Sequence, residues 1–76
     1  MNIDDEVKAA IEQGIPGAEV SVNGGGGHFE IQVISTAFEG LRLLEQQRLV
    51  YSAIAHLMAG DTAPVHAVDR MVCRTP

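Results

Sequence analysis

The spacing of apolar residues along the chain alternates between the period of a helix and that of a strand. From Asn2 to Gln13, apolar residues recur at intervals of three and four, which marks one buried helix face. Asn2 can cap this helix, and the acids that follow it lie near the positive end of the helix dipole. Gly14 and Pro16 are typical of a helix end. The pattern therefore predicts a first helix over residues 2–13.

Two segments of alternating apolar and polar residues follow, from Ala18 to Asn23 and from Phe29 to Ile34. Such alternation predicts two half-buried strands that form a hairpin. Four glycines and His28 separate the two segments, a connection too long for a tight two-residue turn. Glycine leaves the backbone free. We therefore expect a long, mobile loop that carries His28.

The helical period returns from about Leu41 to Ala59. The predicted inner face of this second helix comprises Leu43, Val50, Ala53, Ile54, Leu57 and Met58. Val65 to Cys73 then predicts a third strand, because the segment is rich in β-branched and alternating residues. The order α-β-β-α-β predicts a small α+β domain, with helices packed on one face of a three-stranded sheet. We expect one such domain over residues 1–76.

Charge is distributed unevenly along the chain. The 76 residues have a net charge of −5, which disfavours a general nucleic-acid coat, since affinity for phosphates comes mainly from Lys and Arg. Residues 1–39 hold seven acids and one lysine (net −6), whereas residues 40–76 hold four arginines and three acids (net +1). A local basic patch therefore stays compatible with the composition. Its candidate members are Arg42, Arg48, Arg70 and Arg74.

Composition and motifs also exclude several function classes. One cysteine, Cys73, cannot form a disulfide within the chain, and the N-terminus lacks the basic and apolar regions of a secretion signal. The apolar stretches are too short to span a membrane. We therefore expect a cytoplasmic protein without membrane association. No nucleophile–base pair, carboxylate dyad or cofactor fingerprint is present, so we do not expect an enzyme.

Five short segments together resemble the BolA-like family, and within it the IbaG subgroup. In chain order they are Gly27-His28-Phe29, Phe38-Glu39-Gly40, Gln46–Tyr51, Val65–Val68 and Thr75-Pro76. The resemblance covers nearly the whole chain, from about Ile3 to Pro76. It implies the KH-like BolA fold, whose α-β-β-α-β order is the one that the apolar pattern predicts independently.

The third strand departs from the family pattern. Between His66 and Thr75 the chain is one residue longer than usual, which predicts a β-bulge near Asp69-Arg70 and leaves the register after Val68 open. The lysine common in this strand of the family is missing. The sequence also stops at Pro76, where relatives often continue with a helix that helps cover the sheet.

Two histidines are the candidate metal ligands. Taken alone, His28 is typical of an exposed loop residue and His66 of a partly buried strand residue, although imidazole binds iron, zinc and copper well. The resemblance implies that both ligate a metal cluster and that His66 is the more important ligand. Two imidazoles are an incomplete set for a 2Fe–2S cluster. The resemblance implies that a monothiol (CGFS) glutaredoxin supplies its cysteine and a bound glutathione.

These observations leave three hypotheses. The first is a non-enzymatic partner of a monothiol glutaredoxin that shares or relays a 2Fe–2S cluster, with a role in cluster maturation, iron homeostasis and the stress response. Ligation needs neutral histidine, so such a complex should weaken as the pH falls through about 6.5. The alternatives are a KH-like nucleic-acid-binding transcriptional regulator that uses the arginines, and a carrier of zinc or iron that needs no glutaredoxin. The oligomeric state stays open, a homodimer included.

Two further residues have plain structural interpretations. His56 falls on the polar face of the second helix, where we expect it to be solvated. Cys73, near the end of the third strand, is expected to be a small apolar residue. A third ligand or a redox-active thiol is the alternative for Cys73.

Overall fold

The structure, a computed structural model, describes residues 2–76 and has the predicted element order. Its elements are α1 (Ile3–Gly14), β1 (Glu19–Gly25), β2 (His28–Ile34), a short 3-10 helix (Thr36–Phe38), α2 (Leu43–Met58) and β3 (Ala67–Arg74). The strands form one sheet in the order β1-β2-β3. β1 and β2 are antiparallel, whereas β2 and β3 are parallel. Parallel neighbours need a long crossover connection, which α2 supplies.

The hydrophobic core lies between the sheet and the two helices. It contains Val7, Ile11, Ile15, Val20, Phe29, Ile31, Val33, Phe38, Val50, Ile54 and Val65. Alternate residues of the strands point into this core, and the residues between them are exposed on the other face of the sheet. The helices therefore cover one face of the sheet, as the pattern predicts.

The predicted inner face of α2 is wrong at Leu43, which is 61% exposed. The two helices are in close contact at Gly14 and Ala53, where a Cβ added to the glycine would lie 2.7 Å from the alanine Cβ. Leu43 lies ten residues before Ala53, or about 15 Å along the helix axis. The helical period places Leu43 on the correct side, but the first turn of α2 extends past the contact that would bury it.

The predicted long loop between β1 and β2 is also wrong. Gly25 pairs with His28, so only Gly26 and Gly27 form the turn. Their φ angles are +63° and +85°, and positive values at both central residues are the mark of a type I′ turn. The other two glycines extend β1. Consequently His28 is the first residue of β2 and does not lie on a loop.

The predicted bulge in β3 is confirmed. Val68 pairs with Phe29 and Arg70 pairs with Glu30, which leaves Asp69 as the extra residue. Beyond the bulge, Met71 and Cys73 pack against the core. Since successive strand residues point to opposite faces, Arg70 and Arg74 lie on the open face.

Both helices begin with a side chain that accepts a hydrogen bond from a free backbone N–H group. The side chain of Asn2 accepts a hydrogen bond from the backbone N–H of Asp5 at 2.9 Å, which confirms its predicted capping role. At the start of α2, the Glu45 carboxylate accepts from the backbone N–H of Arg42, also at 2.9 Å. Within residues 2–76, no helix has the length and apolar character needed to cross a membrane.

The difference in burial between Ile54 and Leu44 in α2 predicts different losses of stability when each is replaced by alanine. Ile54 is fully buried, so Ile54→Ala should lower the free energy of unfolding by about 2–5 kcal/mol through lost burial and a residual cavity. Leu44 is 57% exposed, and Leu44→Ala should change stability by no more than about 0.5 kcal/mol. Urea unfolding followed by circular dichroism measures both. Equal losses in the two variants would contradict the position assigned to the core.

Candidate functional site

A single backbone oxygen ties the β1–β2 turn to the start of β3. The carbonyl of Gly27 accepts hydrogen bonds from the backbone N–H groups of His66, at 2.8 Å, and of Ala67, at 3.0 Å. These bonds set the parallel register in which His28 pairs with Ala67. The chain segments that carry the two candidate ligands, 38 residues apart in the sequence, therefore lie next to each other at one end of the sheet.

The ring of His66 packs directly over the α-carbon of Gly27. A Cβ added to Gly27 would lie 2.4 Å from Cδ2 and 2.8 Å from Cγ of the His66 ring. Gly27 is therefore required twice, for its positive φ and for the space that the imidazole fills. His66 itself is exposed and precedes β3, so the interpretation from the sequence alone, a partly buried strand histidine, is not what the structure shows.

His28 makes one side-chain contact of its own. Its Nδ1 atom lies 3.2 Å from Oδ1 of Asp69, the extra residue of the bulge. Both side chains are more than half exposed, so the pair is an open surface contact. Sequence reasoning predicted the bulge but assigned no role to Asp69. The additional residue in β3 was the one signal that could have drawn attention to it.

The donor set at this end of the sheet is limited. Across residues 2–76, no three His, Cys, Asp or Glu side chains converge as a metal-binding group. Cys73 lies seven residues after His66, roughly 20 Å along an extended strand, and packs against the core. The structure thus brings together His28 and His66 and keeps Cys73 away from them. His56 is exposed on α2, as expected.

The four arginines do not form one surface. Arg70 and Arg74 line a groove of about 210 Å³ on the open face of the sheet, together with the carboxylate of Glu30 and the neutral polar residues Ser21, Asn23 and Gln32. Arg42 and Arg48 are exposed at the start of α2, in the helical layer on the other side. The fold therefore separates the candidate basic patch into two pairs, and nucleic-acid binding stays a prediction.

The contact between Gly27 and the His66 ring predicts that alanine destabilises the protein more at Gly27 than at the neighbouring Gly26. Gly26→Ala introduces a Cβ at positive φ with nothing within 4 Å, so it should cost about 1–2 kcal/mol of stability from strain alone. Gly27→Ala adds the clash with His66 and should cost more. It should also shift the ring resonances of His66, because the imidazole must move.

Urea unfolding and NMR of the histidine rings distinguish the two variants. Gly26→Ala serves as the control, since it shares the strain but not the clash. If both variants leave the His66 ring signals equally unchanged, the contact between His66 and Gly27 is wrong.

The environment of Cys73 predicts low reactivity. Burial raises the pKa of the Cys73 thiol, so less of it is thiolate at neutral pH. Alkylation by iodoacetamide at pH 7 should therefore be slower in the folded protein than in the same protein unfolded in urea. Mass spectrometry of the modified chain gives both rates. A faster reaction in the folded state would support an activated thiol instead.

Comparisons with known proteins agree with this architecture. BolA-like protein 1 from Homo sapiens is 45% identical over 49 residues, which cover 64% of this chain. That match spans only 33% of the human protein, so the chain corresponds to about a third of this relative. The Acid stress protein IbaG from Escherichia coli is 26% identical over 65 residues, covering 86% of this chain and 75% of the relative.

A solved structure and a family match complete the comparison. The structure of a bolA protein homologue from Coxiella burnetii matches with a TM-score of 0.82 and 36% identity, over all of this chain and 94% of the other. Residues 2–76 match the family described as BolA-like protein. The chain, with its α-β-β-α-β fold and its two adjacent histidines, therefore belongs to the BolA-like family.

Proposed function

We propose that this protein is a non-enzymatic partner of a monothiol glutaredoxin, with which it shares or relays a 2Fe–2S cluster. The observation that carries the proposal is the pair of exposed histidines, His28 and His66, at one end of the sheet. Backbone hydrogen bonds to Gly27 hold the two chain segments together.

The chemistry of the two imidazoles fits such a cluster. In a Rieske-type 2Fe–2S centre, one iron has two histidine ligands and the other has two cysteines. His28 and His66 would be the histidine pair. The Asp69 carboxylate beside Nδ1 of His28 is the kind of outer partner that ligating histidines usually have. In this proposal the cluster is shared cargo, and this chain contributes two donor atoms and their orientation.

The cluster ligands that this chain does not supply indicate what kind of partner it would need. Two imidazoles leave a 2Fe–2S cluster two thiolates short of the four ligands it needs. A monothiol glutaredoxin with bound glutathione carries one cysteine of its own and one from the tripeptide, which completes the set. Because His28 and His66 are both exposed, a partner can reach them without opening the fold.

The cellular role follows from the shared cluster. We propose that the protein acts in the cytoplasm, in the maturation of iron–sulfur proteins and in iron homeostasis. The relative named Acid stress protein IbaG supports a connection with stress. A carrier of zinc or iron that needs no glutaredoxin is the competing hypothesis, and a structural zinc site would need four protein ligands at one point.

Removal of each histidine tests the proposal. The protein is mixed with a monothiol glutaredoxin, glutathione, iron and sulfide, and visible absorption and circular dichroism are recorded. His66→Ala should abolish the circular dichroism bands specific to the mixed complex, and His28→Ala should weaken them, since each removes a ligand to iron. His56→Ala removes an exposed histidine from α2 and is the matched control, with the wild-type spectrum expected.

Two results would contradict the proposal. One is a His66→Ala complex whose spectrum is the same as that of the wild type. The other is a wild-type chain that binds zinc or iron tightly alone and forms no complex with the glutaredoxin, which would favour the carrier hypothesis.

A further inference from the structure

The contact between His28 and Asp69 joins the first residue of β2 to the bulge of β3, across 41 residues of sequence. The atoms in contact are Nδ1 of the imidazole and Oδ1 of the carboxylate, 3.2 Å apart. An ionised carboxylate can only accept hydrogen bonds, so Nδ1 must be the donor. In a neutral imidazole with a proton on Nδ1, the other nitrogen, Nε2, carries the free lone pair.

We propose that Asp69 is a positioning residue that holds His28 in the Nδ1–H tautomer and keeps Nε2 free as the atom that binds iron. The inference rests on the proposed function in one respect, the identity of the metal cluster. The contact itself and its effect on the tautomer belong to this chain alone. Asp69 touches no cluster in this scheme and acts through His28.

The bulge in β3 allows the side chain of Asp69 to contact His28. With regular pairing after Val68, Asp69 would take the position opposite Glu30, where two carboxylates would face each other across neighbouring strands. Like charges directly opposite in a sheet are destabilising. The extra residue instead places Arg70 opposite Glu30 and leaves Asp69 outside the regular ladder. Asp69 can then reach the imidazole at the start of β2.

The small contribution of the contact between His28 and Asp69 to stability indicates that it orients the ring and does not drive folding. The side chains of His28 and Asp69 are 59% and 57% exposed, and exposed pairs of this kind contribute little to stability. The contact is therefore a poor explanation for folding. Favouring one tautomer and one orientation of the imidazole ring needs far less free energy than stabilising the fold. Hydrogen-bond partners of metal-ligating histidines, although they do not touch the metal, have large effects on metal affinity.

NMR of ¹⁵N-labelled protein at about pH 8, where histidine is neutral, tests the inference without any metal. Long-range correlations between ring protons and nitrogens distinguish the two tautomers of each histidine. We expect His28 of the wild type to show the Nδ1–H pattern. Asp69→Ala should shift His28 away from that pattern and leave His56 unchanged.

Control variants separate this effect from a general disturbance of the fold. Asp61→Ala removes an exposed carboxylate in the loop after α2 and should leave all three histidines as in the wild type. Asp69→Val, which suits a strand better than alanine, replaces Asp69→Ala if that variant is poorly folded. A wild-type His28 in the Nε2–H form, or a tautomer that both Asp69 variants leave unchanged, would overturn the proposal.

A second measurement connects the tautomer to the cluster. In the reconstituted complex with glutaredoxin and glutathione, Asp69→Ala should release the cluster about 10-fold faster than the wild type, whereas Asp61→Ala should not. A wild-type release rate despite an altered tautomer would overturn the role in holding iron. If the wild type forms no complex at all, the proposed function fails, and the metal-free NMR experiment still decides whether Asp69 sets the tautomer.

Discussion

The pair of hydrogen bonds to the carbonyl oxygen of Gly27 is the contact on which the site depends. It joins the β1–β2 turn to the residues that enter β3, and so fixes where the last strand begins against the central one. A shift of this register by one residue would turn every side chain of β3 to the other face. The same two bonds place His66 beside His28 and seat its ring over the glycine.

The division of the sheet into two faces organises the rest of the molecule. The helices and the inner strand residues form a small apolar layer, and the opposite face presents arginines, the carboxylate of Glu30 and neutral polar side chains. The two candidate histidines lie at one end of the sheet, and both are exposed.

Asp69 is the extra residue of the β3 bulge, and its side chain makes a contact with His28. One additional residue in β3 avoids a carboxylate pair with Glu30 and provides a carboxylate for His28. Neither effect contributes much to the stability of the domain, because the groups are exposed. The contact instead orients the imidazole, because the ionised carboxylate accepts a hydrogen bond from Nδ1 of His28.

The sequence by itself determined the element order, the α1 cap at Asn2 and the faces of the strands. These features depend on the local period of apolar residues or on cap chemistry, both of which are present in a short window. The resemblance in five segments added the family, the bulge near Asp69 and the two candidate histidines, and the fold places the segments that carry these histidines side by side.

Only the tertiary structure decided the turn length, the exposure of Leu43 and the partner of His28. Glycine accepts both extended and left-handed backbone, so a run of four cannot show which residues pair and which turn. Leu43 has the correct helical phase, but its burial depends on where α1 crosses α2. The contact between His28 and Asp69 depends on strand register, which is set by long-range packing and backbone hydrogen bonds that no local pattern encodes.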